Sequence, residues 1–253
     1  MTSFWPKGRK RRIPSASATW NSILNRKELW KSSRREQSGG GKHSLSTASH
    51  LRRIGVMGGT FDPIHYGHLL AAEEAYFSLG LSEVLFVPTG LPPHKNRQQV
   101  SLAEDRYTMT LLATVDNPHF KISRLEIDRE GTSHTVDTLR EMRHWYPAGS
   151  VTFYFITGLD AVLDIHNWKE PEEIVSLCKI VAVSRPGYNP HRLEDLPPSI
   201  RRAVIPLEIP HLAISSTEIR RRVGQGRSIR YLTPWPVEHY IYKKALYHRR
   251  NGW

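Results

Sequence analysis

Short apolar runs alternate with longer segments of helical periodicity between residues 51 and 185. The runs at 54–57 and 84–87 are continuously apolar, as strands buried on both faces of a sheet are. The pattern predicts strands at 54–57, 84–87, 120–127, 151–157 and 179–184, and helices at 65–79, 102–115 and 135–145. Strands that alternate with helices in this way predict the α/β fold class, with a doubly wound parallel sheet.

The pattern changes after Pro186, where prolines become frequent and helical periodicity then returns. Helices are predicted there at 215–223 and 236–247. We therefore expect two folded parts, a core at 51–185 and a small C-terminal helical subdomain at 186–253 that packs on the sheet.

The first 50 residues differ from the rest in charge and periodicity. They carry a net charge of +9 out of the +12 of the whole chain, and they show no sustained helical or strand period. Too little apolar surface is present to offset chain entropy, so we predict a disordered basic extension with at most a short helix at 20–30. A basic arm of this kind either binds nucleic acid or is simply solvated, and we expect activity to survive its deletion.

Composition excludes several other classes of protein. The single cysteine rules out a disulfide framework and a cysteine-based zinc cluster. No apolar run approaches the roughly 18 residues of a membrane span, and the basic start lacks the apolar region of a secretory signal. These features predict a cytoplasmic protein without a membrane partner.

The segment 58–68, Gly-Gly-Thr-Phe-Asp-Pro-Ile-His-Tyr-Gly-His, joins the first predicted strand to the first helix. Ligands of open α/β sheets bind at this end of the strands, and glycines there let the backbone approach a phosphate. His65 and His68 share the first turn of the helix, beside its free N–H groups and positive dipole end. A metal pair is disfavoured because no third metal ligand is evident. An ordinary capped helix is disfavoured because the histidines lie at the end of the first strand, so the residues favour phosphate chemistry.

This segment resembles the HxGH signature of the nucleotidylyltransferase superfamily. The resemblance implies a Rossmann-like nucleotidylyltransferase fold and an ATP site at the end of the first strand. The residues that it assigns to ATP here are Gly58, Gly59, Thr60, Phe61, His65 and His68.

A second motif, Ser215-Ser216-Thr217-Glu218-Ile219-Arg220, opens a predicted helix near the other end of the body. Ser215 and Glu218 fit a capping box, so one explanation of the motif is that it only stabilises the start of the helix. Hydroxyls and amides at a helix start with a guanidinium one turn later also form an anion site. The superfamily carries a similar element that clamps the ATP phosphates opposite HxGH. The resemblance therefore assigns Ser215, Ser216, Thr217 and Arg220 to ATP, and His65, His68 and Arg220 to catalysis.

Three further segments follow predicted strands, at 88–95, 158–168 and 184–187. With the two motifs they resemble bacterial nicotinate-nucleotide adenylyltransferases over residues 52–248, which leaves the first 50 residues unmatched. The resemblance places Trp168 on the pyridine ring and the Thr135 amide at the nicotinate carboxylate. It also implies phosphate neutralisation by Lys95, a ribose or metal role for Asp160, and a place near the adenine for Arg185.

The activity implied is the transfer of AMP from ATP to nicotinate mononucleotide, with Mg²⁺ carried by the ATP phosphates and no protein ligand for the metal named. A nicotinamide-mononucleotide or phosphopantetheine adenylyltransferase is the nearest alternative. A nucleic-acid-binding protein that acts through the basic extension and a class I aminoacyl-tRNA synthetase-like enzyme are the others. The sequence leaves the oligomeric state open.

Overall fold

The computed structural model describes residues 51–92, 100–184 and 190–248. The predicted basic extension at 1–50, with its short helix, lies outside these ranges, and so do Lys95 and Arg185. The predicted boundary between core and C-terminal subdomain also falls outside them, at 185–186. That division of the chain therefore stays a prediction.

Within the ranges that the structure describes, six parallel strands form one sheet in the order β3-β2-β1-β4-β5-β6. The strands are β1 Arg52–Gly59, β2 Glu83–Pro88, β3 Phe120–Ile122, β4 Val151–Gly158, β5 Cys178–Ser184 and β6 Val204–Glu208. The strand order reverses between β1 and β4, as in doubly wound nucleotide-binding sheets. The predicted fold class is confirmed.

Helices connect the strands and cover both faces of the sheet. They are α1 Tyr66–Leu79, α2 Ala103–Thr114, α3 Leu125–Asp128, α4 Thr135–Arg143, α5 Leu159–Leu163, α6 Pro171–Leu177, α7 Pro198–Ala203, α8 Ser216–Gly224 and α9 Trp235–Lys243. Short 3-10 turns lie at Ile165–Asn167 and Pro190–Asp195. Among the described residues, no helix has the length and apolar character needed to span a membrane.

The sheet separates two hydrophobic cores. In β2 the side chains of Val84 and Phe86 enter one core, and those of Leu85 and Val87 enter the other. Helices α1, α2, α8 and α9 pack on the first face, whereas α4, α5, α6 and α7 pack on the second. Because consecutive residues of a strand point to opposite faces, strands covered on both sides must be apolar throughout, which explains the continuous runs.

Several elements differ from the sequence prediction, among them the helices α5, α6 and α7, which were not predicted. The strand predicted at 120–127 ends at Ile122, and the helix α3 follows, supported by an ion pair between Arg124 and Asp128 one turn apart. The region predicted to be proline-rich and then helical also contributes the strand β6, which pairs with β5 at one edge of the sheet. Pro206 sits within β6, and an edge strand tolerates proline because one of its sides makes no ladder hydrogen bonds.

Candidate active site

The carboxyl ends of β1 and β4 lie side by side at the reversal of strand order. Gly58 and Gly59 end β1, and Gly158 ends β4. The backbone N–H of Thr89, just past β2, donates to the carbonyl of Gly59 at 2.9 Å. The predicted glycine loop therefore lies at the crevice where open α/β sheets bind ligands.

Phe61 fixes the shape of the loop after β1. Its φ is 48°, in the left-handed region that residues with a Cβ avoid, and its side chain is only 2% exposed. The ring packs on Phe86 and meets the ring of His68 edge-on at 5.1 Å between centroids. Burial of this ring holds the unfavourable backbone in place, and strain of this kind is concentrated at functional sites.

The two histidines of the first motif are stacked on each other. Their ring centroids are 3.7 Å apart with 26° between the planes. His65 is the N-cap of α1, and its backbone N–H donates to Nδ1 of His68 at 3.2 Å. Since Nδ1 of His68 accepts a hydrogen bond, we infer that the neutral ring carries its proton on Nε2 as a donor.

His68 is held in its neutral form. Burial, and then the neighbouring His65, lower the pKa of His68 well below its ordinary value of 6.5. Two imidazoles in face-to-face contact cannot both be protonated without strong repulsion. The pair therefore presents a neutral N–H donor at the start of α1.

This pKa shift predicts a dependence of stability on pH. The folded state resists protonation of His68, whereas the unfolded chain binds the proton with an ordinary pKa of about 6.5. The free energy of unfolding is therefore at its full value above about pH 6.5 and decreases as the pH falls below it. Relative to His68→Ala, the parent should lose up to about 1.4 kcal/mol of unfolding free energy per pH unit there. Urea titrations at several pH values measure this, and parallel curves for the two proteins would contradict it.

Gly67 leaves room for the ring of a neighbouring histidine. A Cβ at Gly67 would lie 3.0 Å from Nδ1 of His65, closer than ordinary van der Waals contact. The absence of a side chain therefore makes room for the His65 ring and its stacking on His68.

The second motif contacts the first directly. The Ser216 hydroxyl donates to the carbonyl of Pro63 at 2.8 Å, and Nη1 of Arg220 donates to the carbonyl of Asp62 at 2.7 Å. The Ser215 hydroxyl accepts the backbone N–H of Glu218 at 3.2 Å, which confirms it as the N-cap of α8. Two motifs about 150 residues apart in sequence thus form one surface.

Arg220 keeps donors for a ligand beyond those used in the fold. Its Nη2 donates to the hydroxyl of Thr217 at 3.3 Å, so two N–H groups of the guanidinium are engaged. A guanidinium carries five such donors in a planar fork. Because Asp62 and Thr217 hold the group in place, a phosphate can bind to it without a large loss of side-chain entropy.

A buried polar network below the loop was missed by the sequence analysis. Arg106 is 1% exposed and donates to the carbonyls of Thr60 at 2.9 Å, Gly90 at 2.9 Å and Ser101 at 3.1 Å. It thereby joins the loop after β1 to the loop after β2. Burial lowers the pKa of Arg106, and the charge of the nearby Asp62 opposes that effect.

Asp62 receives its own hydrogen bonds from distant parts of the chain. The Tyr247 hydroxyl donates to Oδ1 of Asp62 at 2.6 Å, and the N–H of Ser101 donates to Oδ2 at 3.2 Å. Burial, and then the Asp62 charge, raise the pKa of Tyr247. The aspartate stands inside the first motif, but nothing in the sequence indicated that residue 247 would reach it.

Gly90, after β2, lies where no side chain fits. Its N–H donates to Oγ of Ser133 at 3.1 Å, and a Cβ would stand 2.0 Å from the carbonyl oxygen of Glu126. We predict that Gly90→Ala lowers the free energy of unfolding by about 3 kcal/mol, because backbone must move to admit the methyl group.

Urea denaturation measures the loss caused by Gly90→Ala. Gly158→Ala is the control for the added methyl group, since nothing lies within 4 Å of its Cβ position and its φ of −66° suits any residue. An equal loss in both variants would contradict the prediction.

The residues assigned by resemblance to the mononucleotide lie on α4 and after β4. Thr135 is the first residue of α4, with His134 as N-cap. Asp160 is exposed in the first turn of α5. Trp168 is partly exposed, and its ring meets Phe155 edge-on at 5.8 Å. Thr135 begins α4, and Asp160 and Trp168 follow the carboxyl end of β4. The helices α4 and α5 lie on the same face of the sheet.

No set of three His, Cys, Asp or Glu side chains that could hold a metal ion occurs within residues 51–92, 100–184 and 190–248. The exposed carboxylate of Asp160 is a single oxygen ligand near the crevice. Magnesium sites in proteins commonly use one or two carboxylates together with substrate phosphates and water.

Comparison with known proteins agrees with this geometry. Residues 56–222 match the family described as cytidylyltransferase-like. A protein of Moorella thermoacetica is 51% identical over 202 residues, covering 78% of this chain and 93% of its own length. A protein of Thermus thermophilus is 53% identical over 195 residues, covering 77% and 99%. Both are named nicotinate-nucleotide adenylyltransferase.

Solved structures share the fold. The nicotinic acid mononucleotide adenylyltransferase of Plasmodium falciparum, complexed with NaAD, aligns with a TM-score of 0.64 at 23% identity. The alignment covers 78% of this chain and 97% of that one. The high identity to the two bacterial proteins over nearly their full length decides the assignment, and the chain belongs to the nicotinate-nucleotide adenylyltransferase family.

Proposed function

We propose that the surface formed by the start of α1 and the start of α8 binds the ATP phosphates, and that His65, His68 and Arg220 stabilise the charge that develops there. As a member of its family, the chain is a nucleotidyltransferase of NAD biosynthesis that transfers AMP from ATP to nicotinate mononucleotide. The observation that carries the residue assignment is the contact between Arg220 and the carbonyl of Asp62, which joins the two anion-binding motifs.

The reaction needs little covalent chemistry from the protein. The 5′-phosphate of nicotinate mononucleotide is already anionic at neutral pH, so no general base is required. Its oxygen attacks the α-phosphorus of ATP, the bond from that phosphorus to the bridging oxygen breaks, and pyrophosphate leaves with the electron pair. Catalysis then consists of in-line positioning and charge stabilisation.

The protein groups divide this work between them. The neutral His68 ring offers Nε2–H as a donor, and Arg220 offers a fixed positive charge. Gly58, Gly59, Thr60 and Phe61 supply backbone at the end of β1, and the start of α8 supplies Ser215, Ser216 and Thr217. Donors fixed before the reaction stabilise a transition state without reorganising at that moment.

Mg²⁺ bound to the ATP phosphates would neutralise charge on their oxygens. By resemblance, Asp160 would help to place the metal ion or hold ribose hydroxyls, and it lies in the first turn of α5. Lys95 and Arg185 stay assigned to phosphate and adenine by resemblance alone. The product of the reaction is nicotinate adenine dinucleotide, and the Plasmodium falciparum relative in fold is complexed with NaAD, which supports this choice of substrate.

A substrate panel tests the proposal. We predict that kcat/KM for nicotinate mononucleotide exceeds that for nicotinamide mononucleotide by about 10³-fold, because the amide would turn an N–H group toward donors at the start of α4 and leave them unpaired. Phosphopantetheine should not react. Steady-state rates of pyrophosphate release measure all three. Equal kcat/KM for the two mononucleotides would refute the nicotinate pocket, and turnover of phosphopantetheine would refute the assigned substrate.

A further inference from the structure

Five charged side chains form a cluster between α4 and the segment that leads into α6. We call Asp137, Arg140, Lys169, Glu170 and Glu173 the charge clamp. Nζ of Lys169 donates to Oδ2 of Asp137 at 3.0 Å and to Oδ1 at 3.2 Å. Arg140 donates from Nη1 to Asp137 at 3.1 Å and from Nε to Glu173 at 2.5 Å, and it also pairs with Glu170.

The charge clamp joins the two segments that the proposed function assigns to the pyridine ring. Thr135 stands two residues before Asp137 on α4, and Trp168 stands immediately before Lys169. One pair of the cluster, Asp137 with Arg140, lies within α4 and could serve that helix alone. The partners from residues 169–173 are some 30 residues further along the chain, so the cluster fixes one segment against another.

The backbone beside Trp168 depends on this fixing. Trp168 is extended, with φ −80° and ψ 154°, and Glu170 is left-handed, with φ 52° and ψ 60°. A residue with a Cβ adopts the left-handed conformation only when other contacts hold it. The ion pair from Arg140 to Glu170 is such a contact. The cluster therefore also contacts the left-handed residue two positions after Trp168.

The opposite charges of the clamp pair with one another, since three carboxylates face two cations. Partial burial alone would raise the pKa of Asp137, but the hydrogen bond and charge of Lys169 and the charge of Arg140 lower it below its ordinary value. The hydrogen bond from Arg140 lowers the pKa of Glu173 as well. Asp137 and Glu173 thus stay ionised at neutral pH and keep both cations engaged.

We propose that the charge clamp sets the affinity for the mononucleotide by fixing Trp168 relative to the start of α4. Its members are positioning residues and act through Trp168 and Thr135, so this inference rests on the proposed function. A flat ring stacked on Trp168 can meet donors at Thr135 only when the two segments keep a set separation. Loosening the clamp weakens mononucleotide binding and leaves the ATP site, on α1 and α8, unchanged.

A double-mutant cycle in the full chain tests this. Asp137→Asn and Lys169→Met should each raise KM for nicotinate mononucleotide about tenfold, with kcat and KM for ATP within about twofold of the parent. The double variant should be no worse than the worse single one, because both remove the same connection. Glu83→Gln is the matched control, since it breaks the Arg52–Glu83 pair at the amino ends of β1 and β2, and it should change neither KM.

The outcomes separate this inference from the proposed function. Additive effects of the two substitutions would show that Asp137 and Lys169 act independently of each other, which overturns the clamp. A decrease in kcat together with similar increases in both KM values would show a general structural role. That result would overturn the clamp too. Trp168→Ala should raise KM for the mononucleotide. If Trp168→Ala raises this KM and Asp137→Asn does not, only the inference about the clamp is refuted. If Trp168→Ala does not change KM, the pocket assignment and the clamp are both refuted.

Discussion

Replacing His68 with alanine is expected to lower kcat by about 10²- to 10³-fold while KM for ATP changes little. The ring is neutral at physiological pH because burial and the His65 ring lower its pKa. Its Nδ1 accepts the N–H of His65, which leaves Nε2–H as the ring's donor. Charge on the phosphate oxygens grows as the transition state forms, so this donor binds the transition state more strongly than it binds ATP.

The measurement is a steady-state comparison of His68→Ala with the parent, with ATP and mononucleotide varied separately. His119→Ala is the matched control, because His119 stacks on Tyr76 before the amino end of β3, away from the carboxyl ends of the strands. It should retain parental kcat. Near-normal turnover by a folded His68→Ala protein would remove the histidine from the catalytic assignment.

The strands and helices that carry the site could be predicted because their patterns are local. A run such as 84–87 is apolar at every position, and burial on both faces of the sheet requires that. The start of α8 was predictable for the same reason, since Ser215 caps the N–H of Glu218 only three residues away. Local spacing is therefore enough to place both motifs at helix starts.

The supporting network could not be predicted, because it joins residues far apart in sequence. Tyr247 reaches Asp62, and Arg106 reaches both Thr60 and Gly90. An arginine within a helical stretch is most often solvated, and only the tertiary structure reveals that this one is buried. The strand β6 was missed for a related reason, since Pro206 weakens its pattern and only pairing with β5 makes it a strand.

Replacing Arg106 with methionine is expected to lower the free energy of unfolding by about 3–5 kcal/mol and to impair activity at the same time. Methionine fills much of the same volume, so the loss comes from polar groups rather than from a cavity. Three carbonyls, those of Thr60, Gly90 and Ser101, would lose their donor. The carboxylate of Asp62, which is 3% exposed, would also lose its neighbouring positive charge.

Urea denaturation and steady-state rates measure the two effects of Arg106→Met. Arg124→Met serves as the control, because Arg124 pairs with Glu104 and Asp128 at the surface, and loss of such exposed pairs costs about 1 kcal/mol or less. In an Asp62→Asn background, Arg106→Met should lower the free energy of unfolding by less, because no buried carboxylate is then left without its neighbouring positive charge. A loss below about 1 kcal/mol with full activity would mean that the loops after β1 and β2 keep their positions without Arg106. The catalytic loop would then owe its shape to Phe61 and to the contacts from α8.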